Sequence, residues 1–222
     1  MKRIFLIISF LTIFSLIFSN QIYQNYIQVY GEGPIGRHLV GFDVLVYSKE
    51  DAVELARNEI MEFLSGSIYG YSFIYKVENN LDHSKGYFDL KPVVKLKEDD
   101  RNITLKQLEE SNLTLRLQAL YRLTDDQKNY INGFQSSIAK FSIGNATGDL
   151  NKDWKNRLEI YKNALKDSVL NEAKKRLKAR PLYLKGKILL IESPLIGLVS
   201  GQWNITVKTH IMINEVSYQD VY

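Results

Sequence analysis

The end of the chain carries the pattern that most restricts the fold, an apolar residue at every second position. Side chains on one face of this run are Trp203, Ile205, Val207, Thr209, Ile211 and Ile213. The residues between them are Asn204, Thr206, Lys208, His210, Met212 and Asn214. Because successive side chains of a strand point to opposite faces, the alternation predicts a strand with one buried face.

An apolar stripe at helical spacing precedes this strand. Its members are Trp154, Leu158, Tyr161, Leu165, Val169, Ala173 and Leu177. Such spacing predicts a long helix packed along one face, which Pro181 ends, and a strand over residues 184–191 follows. A second helix is predicted where Ser48 and Asp51 form an N-cap signature, with Ala52 and Ile60 on its buried face and a stop at residues 65–66.

Each predicted helix is followed by a pair of strands, and this order indicates antiparallel sheet with two main helices packed on it, an α+β fold. The first pair covers residues 71–77 and 87–96, and Pro92 indicates an edge strand. In the middle, Leu113, Leu115 and Leu117 alternate with polar residues and favour a strand. A helix is the alternative there, with Leu105, Leu108, Leu113 and Leu117 on one face, and residues 144–148 read as a loop. We expect one domain over 21–222, with similar halves 21–100 and 101–222 as the alternative division.

The N-terminus indicates export. Lys2 and Arg3 precede an apolar run over residues 4–18, and the chain then turns polar, which is the order of a secretory signal peptide. We predict a signal peptide over residues 1–20, with an uncleaved anchor as the alternative. The chain has no cysteine, which excludes a lipid-attached cysteine and thiol sites and favours a bacterial export route. The expected location is the periplasm or the outer membrane.

Gly31, Gly33 and Gly36 spell G-x-G-x-x-G after a strand-like run, which is the written form of a dinucleotide-binding loop. That loop must lead into a helix whose N-terminus faces the pyrophosphate. Here the next strand, predicted over residues 39–46 and largely buried on both faces, leaves no room for a helix. We therefore predict no cofactor and assign the glycines to backbone freedom at a hairpin or bulge.

The segments IQVYGEG, LVGFDVLVYS and DAVELARNEIMEFLSG resemble the start of a SIMPL-domain protein. YKNALKDSVLNEAKKRL, LKGKILLIES and WNITVKTHIMI resemble the long helix and the closing strands of that family. The resemblance covers the two ends of the chain, and Arg37 and His38 stand where the family usually has Pro-Asp. It implies an exported envelope protein, able to oligomerise, without established catalytic residues. A similar helix-and-hairpin unit also resembles small exported flagellar-assembly proteins.

Charge and chemical motifs favour binding over catalysis. Lys2 and Arg3 are two of 29 basic residues, and the remainder nearly balances 25 acidic residues, so nucleic acid is not an expected partner. His38, His83 and His210 are expected to be structural or solvated, and no catalytic, cofactor or metal residues are predicted. One basic group has two readings, contact with an anionic membrane surface or helix-dipole compensation. It comprises Lys174, Lys175, Arg176, Lys178 and Arg180.

These observations predict an exported, non-enzymatic protein of the cell envelope that acts by binding or assembly. The expected partner is a second copy or an envelope protein, and the apolar residues 195–199 mark either a partner contact or core packing. The alternatives are an exported hydrolase with a site in the middle third, or a flagellar-assembly or membrane-surface binding protein.

Overall fold

A computed structural model describes residues 25–76, 86–135, 138–150, 154–176 and 181–218. Three helices and eleven strands lie in these ranges, and every strand pair is antiparallel, which confirms the α+β prediction. The helices are α1 (Lys49–Ile68), α2 (Asp125–Phe134) and α3 (Asn156–Arg176). The strands are β1 (Tyr26–Pro34), β2 (Gly36–Val40), β3 (Asp43–Tyr47), β4 (Tyr71–Lys76), β5 (Tyr87–Pro92), β6 (Ile103–Glu110), β7 (Thr114–Arg122), β8 (Lys140–Asp149), β9 (Pro181–Leu190), β10 (Leu195–Val199) and β11 (Gln202–Tyr218).

The strands form two main sheets and one separate hairpin. The smaller sheet has the order β1-β7-β6, and the larger has the order β10-β11-β9-β4-β5 with β8 paired to β11. Within the larger sheet, β10 pairs with the first residues of β11, and β9 pairs with its C-terminal half. Strands β2 and β3 pair with each other as a two-stranded sheet.

Helix α1 packs on β1 and β7, and α3 packs on β8 and β11. A capping box starts α1, because the Ser48 hydroxyl accepts from the Asp51 amide and the Asp51 carboxylate accepts from the Ser48 amide. The two helices share one core: the Phe63 and Tyr161 rings meet edge to face with centroids 5.0 Å apart. Ile205, Val207 and Ile211 of β11 are fully buried in that core, as the alternation predicts.

The first two glycines of the G-x-G-x-x-G segment serve a different purpose from the predicted one. Gly31 and Gly33 lie within β1 on the side that faces α1, and a Cβ atom at Gly33 would stand 1.9 Å from the Ala52 carbonyl oxygen. A Cβ at Gly31 would stand 2.1 Å from the carbonyl oxygen of Ala56. Both glycines therefore let the strand approach the helix backbone, and the expectation of backbone freedom is wrong for them. It holds for Gly36, the first residue of β2, whose φ is +80° where the chain leaves β1.

Close packing of a strand against a helix also explains why a second prediction from the glycines is wrong. Residues 144–148 were expected to form a loop, but they lie in β8, where a Cβ at Gly144 would stand 2.0 Å from the Ala164 carbonyl oxygen of α3. The glycines there make room for a helix and do not mark a turn. Similarly, Gly66 does not stop α1, which continues to Ile68 before Gly70 turns the chain with a φ of +70°.

Of the other strand predictions, some are confirmed and one is wrong. The strands β4 and β7 are confirmed, and β5 is confirmed as an edge strand but ends at Pro92, four residues before the predicted end. Residues 39–46 do not form one strand buried on both faces. They form most of the β2–β3 hairpin, which turns at Gly41 with a φ of +63° and is largely exposed.

Gly33→Ala is expected to destabilise the protein by about 1–3 kcal/mol or more, because the added methyl group overlaps the backbone of α1. Gly197→Ala, in the edge strand β10, is the matched control, since nothing lies within 4 Å of a Cβ there. Urea unfolding followed by circular dichroism measures both changes. Equal stabilities of the two variants would show that β1 does not lie against α1 as described.

Candidate interaction site

The β2–β3 hairpin presents an apolar face to solvent. Leu39 pairs with Val44 across the hairpin, and Val46 pairs with Arg37, so these side chains share one face. Leu39 is 70% exposed, Val44 55% and Val46 68%, and Phe42 at the turn is fully exposed. Aliphatic residues on a strand pair normally face a core, so this surface stands out from scattered apolar residues elsewhere.

The opposite face fixes the base of this hairpin to the rest of the molecule. The His38 Nε2 atom lies 3.1 Å from the Ile35 carbonyl oxygen and 3.2 Å from that of Leu113. The imidazole meets Tyr47 edge-on at 5.7 Å and Trp154 at 6.0 Å between ring centroids. The hairpin is thus anchored by one side while its apolar side remains open.

Beneath this anchor lies a buried charge cluster centred on Arg157, whose side chain is 1% exposed. Its guanidinium carbon lies 4.6 Å from the ring centroids of both Trp154 and Trp203. Nη1 donates to the Glu32 carboxylate at 3.2 Å and Nη2 donates to Glu59 Oε2 at 3.2 Å. The Nε atom lies 2.9 Å from Glu59 Oε1 but makes no hydrogen bond. Arg157 thereby connects α3 with β1, α1 and β11.

Glu59 is the second buried member of the cluster. Burial raises the pKa of Glu59 to about 7, although the nearby Arg157 charge and the Glu32 amide, which donates to Glu59 Oε2 at 3.1 Å, both lower it. Glu59 is therefore expected to release its proton at a higher pH than an ordinary carboxyl group. Sequence reasoning missed this group, although a signal existed: Glu59 lies between Ala56 and Phe63 on the buried stripe of α1.

Two clefts adjoin the cluster. One, of about 340 Å³, includes Glu59 and Trp154 in its lining. The other, of about 360 Å³, lies between β10 and the β1–β7 pair and includes Arg116 and Arg157. In this second cleft the Arg116 guanidinium stacks 4.7 Å from the Tyr30 ring centroid.

The structure describes only part of the predicted basic group. Lys174 and Lys175 are exposed in the last turns of α3, and Lys175 Nζ lies 3.9 Å from the Glu172 carboxylate. Arg176 is the final residue of the helix. Lys178 and Arg180 lie outside the described residues, as does His83. The structure therefore places two of the five predicted side chains together.

The remaining candidate residues separate from one another. Residues 195–199 form β10, where Ile196 packs on the core, as one of the two expectations has it, and Leu195, Leu198 and Val199 are exposed. His210 lies on the outer face of β11, and partial burial lowers its pKa. Among the described residues, no group of three or more His, Cys, Asp or Glu side chains could hold a metal ion. The described helices include none long and apolar enough to span a membrane.

A protein-family model matches residues 38–218, which is most of the chain. The chain belongs to this family. An uncharacterized protein of Treponema pallidum (strain Nichols) is 19% identical over 159 residues, which is 72% of this chain and 67% of that protein. No solved structure matches. The matched region contains the apolar hairpin face and the whole of α1, α3 and β11.

The raised pKa of Glu59 predicts how stability changes with pH. Below pH 4.5 both the folded and the unfolded chain hold the proton, whereas between about pH 4.5 and 7 the folded chain keeps a proton that the unfolded chain has released. The free energy of unfolding should therefore fall as pH rises through this window, by roughly 3 kcal/mol in total from this group.

Glu59→Gln cannot titrate and should lose this part of the pH dependence. Glu54→Gln, at an exposed position on the same helix, should keep it. Urea unfolding of the three proteins at half-unit steps from pH 4.5 to 8 measures the effect. A Glu59→Gln profile parallel to the unmodified protein would contradict the assignment.

Proposed function

We propose that this chain is an exported, non-enzymatic protein of the cell envelope that acts by binding or assembly through the β2–β3 hairpin. The apolar hairpin face is the observation that carries the proposal. Burial of one large aliphatic or aromatic side chain contributes roughly 1.5–3 kcal/mol, so Leu39, Phe42, Val44 and Val46 together offer a useful share of a binding free energy. Part of that gain offsets the entropy that two associating molecules lose.

The backbone of the hairpin offers a second means of attachment. Within the described part of the chain, β2 and β3 pair with each other alone, so each strand keeps one edge without a strand partner. An open edge can accept a further strand through backbone hydrogen bonds while the apolar face contributes side-chain contacts. This combination favours a protein partner, either a second copy or another envelope protein.

The envelope location in this proposal is supported by the N-terminal sequence. The basic start, the apolar run over residues 4–18 and the polar exit are those of a signal peptide. The resemblance to SIMPL-domain proteins points to the periplasm or the outer membrane. Cell fractionation with N-terminal sequencing tests this part, because the mature chain should begin near Asn20 or Gln21 and leave the cytoplasmic fraction.

Phe42→Ser combined with Val44→Thr removes the apolar tip while keeping a β-branched residue in β3. We expect the mature protein to form a complex with itself or with an envelope protein, and the double variant to weaken that complex at least about tenfold. Static light scattering measures self-association, and co-purification from envelope extracts measures other partners.

Ile138→Thr is the matched control, since Ile138 is 64% exposed and lies outside the hairpin. It should leave the complex unchanged. A monomer without a partner, or equal weakening by both changes, would contradict binding through the hairpin.

The exposed Lys174 and Lys175 support one second candidate, attachment to an anionic membrane surface. Attraction to lipid headgroups weakens as salt screens it. Pelleting with phosphatidylglycerol vesicles at low and high salt separates this candidate from the first, because hairpin contacts are largely apolar. Lys174→Gln combined with Lys175→Gln should reduce pelleting if the candidate is right.

A further inference from the structure

The cleft between β10 and the β1–β7 pair, defined above by Arg116 and Arg157, is distinct from the hairpin. It lies beside the outer edge of β1, whose backbone is already bonded there. The Tyr30 amide donates to the Ser193 hydroxyl at 3.3 Å, and the Glu32 carbonyl oxygen accepts from Trp154 Nε1 at 3.0 Å. An added strand would have to break these bonds, so a ligand in this cleft must be recognised by side chains.

One cation of the cleft is available to an anion. The charged side chains in the lining are Glu32, Arg116 and Arg157, and Arg157 also pairs with Glu59, which lies outside the cleft. Arg157 is committed to its two carboxylates and its two tryptophans. Arg116 is not: its Nε atom is buried without a hydrogen bond and lies 3.7 Å from Glu32 Oε1. A guanidinium held by stacking on Tyr30 presents its N–H groups to a carboxylate in a fixed plane.

The opposite wall of the cleft combines apolar residues of β10 with Asn204 and Thr206 of β11. Leu195, Ile196 and Val199 of β10 line it, and Leu195 and Val199 are more than half exposed. The tight turn at Ser200 and Gly201, with φ values of +51° and +75°, holds β10 against β11. The Ser193 hydroxyl lines the cleft as well and can donate its own proton while it accepts from Tyr30.

We propose that this cleft binds an aliphatic monocarboxylate. The carboxylate lies on Arg116 and the Ser193 hydroxyl, and the aliphatic chain lies along β10. The Arg116 guanidinium can pair with one carboxylate, and a volume of about 360 Å³ is at the lower end of the range for small-molecule sites. This site uses no residue of the hairpin, so it stands or falls independently of the proposed function.

Isothermal titration of the mature protein with sodium octanoate at pH 7.5 tests the proposal. Acetate supplies the charge without the chain, and 1-octanol supplies the chain without the charge. We expect saturable binding of octanoate at one site per chain, at least about tenfold tighter than binding of either control. Absence of saturable octanoate binding, or equal binding of 1-octanol, would overturn the proposal.

Two variants test whether octanoate binds in this cleft. Arg116→Gln should weaken octanoate binding at least about tenfold, whereas Arg122→Gln, on the same face of β7 but outside this cleft, should leave it unchanged. Leu195→Asn, at an exposed position, should weaken octanoate binding without changing that of acetate, and it remains informative if Arg116→Gln fails to fold. Unchanged affinity in Arg116→Gln and Leu195→Asn, or equal loss in Arg122→Gln, would place octanoate elsewhere.

Discussion

The two main sheets depend on one buried cation. The Arg157 guanidinium lies against the rings of both Trp154 and Trp203 and donates to Glu32 of the smaller sheet and Glu59 of α1. A buried charge is stable only while its partners remain, and loss of one partner typically costs about 3–5 kcal/mol. The cluster therefore holds β1, α1, α3 and β11 in one arrangement, and the raised pKa of Glu59 predicts that this arrangement is sensitive to pH.

Both proposed surfaces are built on this cluster. Trp154 contacts His38 at the base of the hairpin on one side and stacks on Arg157 on the other. Arg157 in turn forms part of the cleft in which Arg116 is exposed. The cluster thus positions both the apolar hairpin face and the cleft, and the two can be altered separately.

The two long helices pack on their strands in the same way, with glycines of the strand facing alanines of the helix. Gly31 and Gly33 let β1 approach Ala52 and Ala56 of α1, and Gly144 lets β8 approach Ala164 of α3. The outer edge of each strand is also closed by side chains. Asp167 accepts from the Asn145 amide of β8 at 2.9 Å, much as Glu59 accepts from the Glu32 amide of β1. Closed edges of this kind discourage strand addition, which leaves the hairpin as the more accessible edge.

The sequence by itself determined the α+β class, both long helices and the half-buried strand β11, because the periods of apolar residues are local properties of the chain. It also placed Pro92 at an edge. Tertiary structure alone decided that Gly31 and Gly33 face a helix, that the hairpin around Phe42 stays uncovered, and that Arg157 meets Glu32 and Glu59. Glu32 and Glu59 lie 125 and 98 positions from Arg157 along the chain. The apolar periodicity of a segment does not predict such contacts, because they depend on how helices and sheets pack together.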